Sequence, residues 1–182
     1  AKSIAHFFVV QNITEESKEV IYAYGMELLI SDVLNTIIVL LIALFSHTLP
    51  AVVVFIAVFM GLRQFVGGFH ANSHLSCMFT LVMVMMVFSY GICNVSGHIT
   101  PIFSISFIMI ALPIILCIAP VPHPNKPMSE EKSVKLRKRS CILAVTLSVV
   151  TIALLVFQYQ KLSLYVSSGM LLSAIMALLG HF

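Results

Sequence analysis

The chain has 182 residues, 60% of them hydrophobic and only 9% charged, with a formal net charge of +3 and a mean hydropathy of +1.07. Soluble domains carry about a quarter charged residues, so a water-soluble globule is a poor fit and no nucleic-acid partner is expected. In hydrocarbon the backbone must satisfy itself in helices or in a closed barrel. Barrel strands alternate in polarity over about ten residues, and runs such as Leu81–Phe88 and Val149–Phe157 do not alternate. The expectation is an all-α, polytopic membrane bundle with about six hydrophobic segments, a single domain over residues 1–182.

Residues 1–24 are mildly amphipathic. Ile4, Phe7, Phe8, Ile13, Val20, Ile21 and Tyr24 recur near helical spacing, opposed by Lys2, Glu15, Glu16, Lys18 and Glu19. That pattern suits one or two short helices lying along the bilayer surface. Ala1–Val10 lacks the apolar region and small-residue cleavage site of a signal peptide and is not expected to be one. Met26–Phe45 is the first apolar run, about 30 Å long as a helix. Its early acids, Glu27 and Asp32, read first as interfacial caps and second as substrate-facing groups.

His47 and Pro50 then break the chain, with Pro50 placed to open the next helix. Ala51–Leu62 is about 18 Å as a helix. It crosses a bilayer only if the helix continues through Arg63 towards Val66, and otherwise re-enters. Met78–Ile92 follows, stopped by Asn94, Ser96 and Gly97, and Pro101–Ile118 is expected to kink at Pro113. Pro120–Pro127 reads as helix-hostile loop. Lys126–Arg139 holds six basic and two acidic side chains, a net +4 and the densest positive charge in the chain. Cys141–Phe157 and Leu162–Leu179 complete the series. Cys93, Cys117 and Cys141, with no other chemistry nearby, read as reduced, buried, structural cysteines.

The positive-inside rule puts the basic 120–140 loop in the cytoplasm. Two crossings separate it from residues 63–77, which are therefore cytoplasmic too. If residues 51–66 cross fully, both termini are cytoplasmic, and loop 97–100, without lysine or arginine, lies outside.

Between two apolar runs stands Arg63-Gln-Phe-Val-Gly-Gly-Phe-His-Ala-Asn-Ser-His-Leu-Ser-Cys77. Polar, reactive side chains at a membrane boundary are costly and mark function by default. Cys77 falls at the start of a helix, with Ser73 or Ser76 as N-cap, where unpaired N–H groups favour a thiolate. His70 and His74 are the histidines near it, and an imidazole beside a thiol can take its proton and return one to a leaving group. In one continuous helix His70 would sit about 10.5 Å from Cys77, and His74 would be closer. Gly67-Gly68, however, permits a turn that brings His70 over the helix start, so spacing leaves the two histidines level. Arg63 reads as a snorkelling or ion-paired anchor that could hold Glu27, Asp32 or a substrate carboxylate. A zinc site on His70, His74 and Cys77 is the alternative chemistry, although no glutamate lies between the histidines to act as base.

This run resembles the signature of the accessory gene regulator B (AgrB) family, bacterial membrane endopeptidases that process quorum-sensing propeptides. Ala119-Pro-Val-Pro-His-Pro-Asn-Lys-Pro127 is similar to the family's proline-rich loop, and the hydrophobic layout matches over essentially the whole chain. The resemblance implies His70 as catalytic histidine and Cys77 as nucleophile, with Arg63, Gly67, Gly68 and His74 in support and neither metal nor cofactor. It further implies cleavage of an AgrD-type amphipathic propeptide at the cytoplasmic side of the bacterial cell membrane through an acyl-enzyme thioester. Closure of a thiolactone or lactone ring follows, and the resemblance implies a homodimer or a larger assembly.

For recognition, the basic segment, with Lys126, Lys132, Lys135, Lys138 and Arg139, is expected to attract an acidic part of the peptide. The amphipathic N-terminal stretch would dock its apolar helix. A small transporter is the rival class. It would need polar residues along a path through several helices, and the runs after Cys77 hold no charged residue until residue 126.

Overall fold

The computed structural model describes residues 19–67, 74–121 and 130–181, all of it helix and short connection, with no strand among the described residues. Among the described residues six α-helices follow one another: α1 (Glu19–Phe45), α2 (Leu49–Val66), α3 (His74–Met86), α4 (Thr100–Ile118), α5 (Glu130–Val156) and α6 (Gln160–His181). After Met86 the chain of α3 widens into a π-helical turn, Val87–Gly91, and then tightens into a 3₁₀ turn, Ile92–Asn94. Leu49–Val66, Thr100–Ile118, Ser133–Val156 and Gln160–Gly180 are long and apolar enough to cross a membrane, and Val33–Phe45 and Phe79–Asn94 are shorter apolar stretches. The protein is an all-helical, multi-pass membrane protein.

α6 is the hub, packed against α2, α4 and α5. Without a hydrophobic force between helices in lipid, close packing comes from small residues. α6 presents Ser163, Ser167, Ser168, Ser173, Ala174 and Ala177, all buried. Their hydroxyls bond where they lie: Ser163 Oγ is 3.1 Å from Ser104 Oγ on α4, and Ser173 Oγ donates to the Gly169 carbonyl at 3.0 Å. Gly169 lets α2 come closest, since a Cβ there would stand 2.9 Å from the Phe55 carbonyl oxygen and 3.0 Å from Val58 Cβ. α1 and α3 flank this body through Val39, Ala43, Val52, Phe55, Met85 and Phe88, with the Phe55 and Phe88 rings stacked at 4.2 Å. The exterior is apolar along most of its length, as at Leu34, Ile37 and Leu41 on α1 and Ile102, Ile105 and Met109 on α4. That is the surface a bilayer covers.

Several expectations change in detail. The helix holding Ala51–Leu62 starts at Leu49, has Pro50 in its first turn and runs on through Arg63 to Val66. It is 18 residues long, about 27 Å, and so is long and apolar enough to cross a membrane. The segment read as a 120–140 loop is helical from Glu130, so most of its charge sits on α5. Acids Glu130 and Glu131 occupy the first turn of that helix, where they complement the helix dipole. Glu19–Tyr24 belongs to α1 rather than to a separate surface helix; the rest of the amphipathic lead-in, residues 1–18, lies outside the described residues. Cys117 is exposed and Cys93 and Cys141 are half-buried, so none of the three is a core cysteine. An apolar run does not distinguish a residue facing lipid from one facing protein. α4 continues through Pro113 to Ile118, and the missing proline N–H leaves the Met109 carbonyl without its usual partner.

Glycine contacts on α2 and α6 give a direct check of the hub. Gly169→Ala forces the α2 backbone away and is expected to destabilise by about 1–3 kcal/mol. Gly61→Ala, with nothing within 4 Å of the added carbon, should be neutral or stabilising by up to about 1 kcal/mol. Thermal midpoints in detergent separate the two; equal midpoints would contradict the packing described.

Candidate functional site

α2 stops where its sequence demands a glycine. The Gly67 N–H still donates to the Arg63 carbonyl at 3.0 Å, but Gly67 then turns to φ 75° and ψ −153°, a region of backbone space that is essentially glycine's alone. A second constraint acts at the same atom: a Cβ on Gly67 would stand 2.6 Å from the Val121 carbonyl oxygen. Gly67 thus combines a sharp turn with a close backbone approach. Gly68 lies outside the described residues.

What approaches is the start of the proline-rich segment. The Val121 N–H donates to the Val66 carbonyl at 2.8 Å, so a carbonyl that the end of α2 leaves unpaired is met from across the bundle. Val66, Ala119 and Val121 are buried together with Leu62 and Ile115. The two motifs singled out from the sequence, far apart along the chain, thus meet at one end of the bundle. Neither motif announces the bond between them, and only the topology places both after helices that run the same way.

Arg63, in the last turn of α2, is half-buried, with its guanidinium 5.5 Å from the centre of the buried Phe59 ring. That cation–π contact fits an anchoring role at the membrane boundary. Glu27 and Asp32 are both in α1.

α3 begins at His74, and Cys77 is its fourth residue. His74 and Cys77 therefore share the first turn, where backbone N–H groups lack intrahelical partners. Ser76 lies inside that turn and so is not its N-cap. Ser73, like His70, falls outside the described residues, and so does the approach of His70 to Cys77. The zinc alternative, which needs His70, rests on the same residues. Of the basic set, Lys126 is outside the described residues and Lys132 is in the first turn of α5. Lys135 is exposed and paired with Glu131, and Lys138 and Arg139 are exposed. Arg137, left out of the recognition set, is exposed on the same helix.

At the opposite end of the bundle a polar network closes the loops. Lys161 Nζ donates to the Cys93 and Val95 carbonyls at 2.9 and 3.0 Å, and Thr48 Oγ1 donates to Ser89 Oγ at 3.1 Å. Among the described residues, then, the end holding Gly67, Cys77 and Val121 is the one where helices stop beside the reactive motif.

The profile of the accessory gene regulator B family matches residues 1–177. A protein named as AgrB-like from Clostridium beijerinckii is 24% identical over 138 residues, covering 74% of this chain and 67% of that protein. No solved structure matches. With the family profile spanning nearly its whole length, the chain belongs to the accessory gene regulator B family.

Proposed function

We propose that the protein is a cysteine endopeptidase that cleaves an AgrD-type propeptide at the cytoplasmic membrane boundary, with Cys77 as nucleophile and His70 as its base. The observation that carries the reading is the coincidence of three features at one end of the bundle. These are the glycine-only turn after α2, Cys77 in the first turn of α3, and the proline-rich segment bonded to Val66. Family membership supplies the class of substrate.

In this reading His70 removes the thiol proton and the Cys77 sulfur attacks the acyl carbon of the scissile peptide bond. The carbon–nitrogen bond breaks, and the proton held by His70 goes to the departing amine. First-turn N–H groups of α3 stabilise both the thiolate and the oxyanion. The thioester left on Cys77 keeps the acyl group reactive. A cysteine or serine side chain of the peptide then attacks it, loses its own proton to the imidazole, and closes a thiolactone or lactone ring as the Cys77 sulfur leaves. Cyclisation outruns hydrolysis because the internal nucleophile is held near the acyl carbon, where its effective concentration exceeds that of a competing bimolecular attack. A membrane boundary that limits water helps in the same direction.

Arg63 anchors the end of α2, and Gly67 and Gly68 allow the chain to fold back over α3, with His74 accessory to the pair. The basic segment, with Lys126, Lys132, Lys135, Lys138 and Arg139, draws an acidic part of the peptide to this end through its field. The enzyme acts as a homodimer.

Co-expression with a propeptide encoded nearby, read by mass, tests the assignment. Cys77→Ala should lower the cleaved product by roughly a thousandfold or more. His70→Ala should lower it by about 10²–10⁴-fold, and His74→Ala by no more than about tenfold. Equal product from the Cys77→Ala variant would exclude that sulfur as nucleophile, and loss confined to His74→Ala would move the base to His74.

Gly67→Ala tests the turn separately. Its added carbon meets the Val121 carbonyl in a conformation costing on the order of 1–3 kcal/mol. Cleavage is expected to fall at least about tenfold, because small misplacements of reacting groups cost rate steeply. Membrane insertion should be retained. Wild-type cleavage in this variant would mean that the loop does not depend on the Gly67–Val121 contact.

A further inference from the structure

The basic stretch at the start of α5 divides between two faces of the helix. The side turned into the bundle is marked by Ser140, Ala144, Ser148 and Thr151, all buried and recurring at the three- and four-residue spacing of one helical face. Arg137 stands three residues before Ser140 and seven before Ala144, so it continues the bundle side. The opposite side is marked by Ile142, Val145, Val149, Ile152 and Val156, all exposed, Ile142 by 56% and Val156 by 71%. In a protein whose exterior is this apolar, that side faces acyl chains.

Lys138 stands four residues before Ile142 and seven before Val145, Lys135 seven before Ile142, and Arg139 three before Ile142. These cations therefore continue the lipid-facing side beyond the end of the apolar run, Lys135 and Lys138 in line with it and Arg139 at its edge, four residues before the core-packed Leu143. All three are exposed. Lys135 pairs with Glu131 one turn away, an exposed contact of small energetic weight. Lys138 and Arg139 have no ion-pair partner among the described residues. Long basic side chains rooted over an apolar surface extend their charge to the interface, where clusters of this kind attract anionic lipid. The rule that fixes membrane orientation counts cations whatever face they occupy. The segregation of Lys135, Lys138 and Arg139 from Arg137 is something that headgroup binding requires and orientation does not.

We infer that Lys135, Lys138 and Arg139 form a binding site for the phosphate headgroup of an anionic phospholipid on the lipid side of α5, and that Arg137 lies outside it. This holds whatever the chemistry at Cys77. It also gives the three cations a direct occupant, leaving their effect on a peptide to the field at the surface. An acidic peptide segment is the rival occupant and would have to reach them from the lipid side.

The test uses the full-length protein in vesicles of phosphatidylcholine with and without phosphatidylglycerol. Retention of each lipid is measured by native mass spectrometry after transfer to neutral detergent. Each cation near an anionic surface contributes roughly a fivefold preference. The wild type should therefore retain phosphatidylglycerol over phosphatidylcholine, and K135Q/K138Q/R139Q should lose that preference by about tenfold or more. R137Q should keep it. Raising the salt concentration should erode it in the wild type without any substitution, which keeps the test intact if the triple variant fails to insert. A triple variant that still prefers phosphatidylglycerol, a loss confined to R137Q, or a preference indifferent to salt would overturn the site. So would a triple variant that loses binding of a glutamate-rich peptide while keeping the lipid preference, which would transfer the residues to the peptide.

Discussion

One backbone hydrogen bond, from the Val121 N–H to the Val66 carbonyl at 2.8 Å, joins the two segments that the sequence singles out. At the edge of hydrocarbon a helix cannot end with its carbonyls unmet, because each unpaired polar group there costs free energy. α2 meets that requirement at Val66 with the non-helical segment that follows α4. The bond also fixes Gly67: with Val121 this close, the position tolerates no Cβ, and the chain leaves α2 in a direction open only to glycine. The reactive motif starts from that direction.

α6 makes this bond possible by drawing α2, α4 and α5 into one tight body. Its serines and Gly169 remove the side-chain bulk that would hold helices apart, and the serine hydroxyls bond within their own helix or to a neighbour. The close approach of α2 and α4 to the same hub brings Val66 and Val121 to a common level. α1 and α3 join from the side through aromatic and aliphatic contacts. Cys77 is thus carried on a flanking helix, and the Gly67 turn on one of the helices of the central body.

Hydropathy made the succession of helices legible, because a spanning helix must be apolar over a length set by the bilayer. Its edges were harder to read. Arg63 and Gln64 interrupt the apolar run of α2 without ending the helix, since Arg63 can lie over Phe59 with its stem along apolar surface. Charge and a proline-rich lead disguised the first turns of α5 as loop, although Glu130 and Glu131 form an acidic helix start of the usual kind. The motif around His70 and Cys77 stood out in the sequence by its residue types, while the approach of the two side chains lies outside the described residues. The motif's partner segment was not legible as such, because a backbone bond between distant residues leaves no side-chain mark at either end. The two faces of the basic segment were equally hidden until α5 was known to be helical through Arg139.

The two ends of the bundle use their cations in opposite ways, and the contrast follows from what each has to satisfy. At the end away from the motif, Lys161 turns its ammonium onto the Cys93 and Val95 carbonyls, and Ser46, Thr48 and Ser89 link in a short hydroxyl chain. There the charge is consumed in closing the backbone. At the motif end Val66 is already met by Val121, and Lys138 and Arg139 on α5 are exposed. A cation released from structural duty can act on whatever lies beyond the protein. On the lipid side of α5 the inferred headgroup site is such a use, and Arg137, which continues the buried face, stands apart from it.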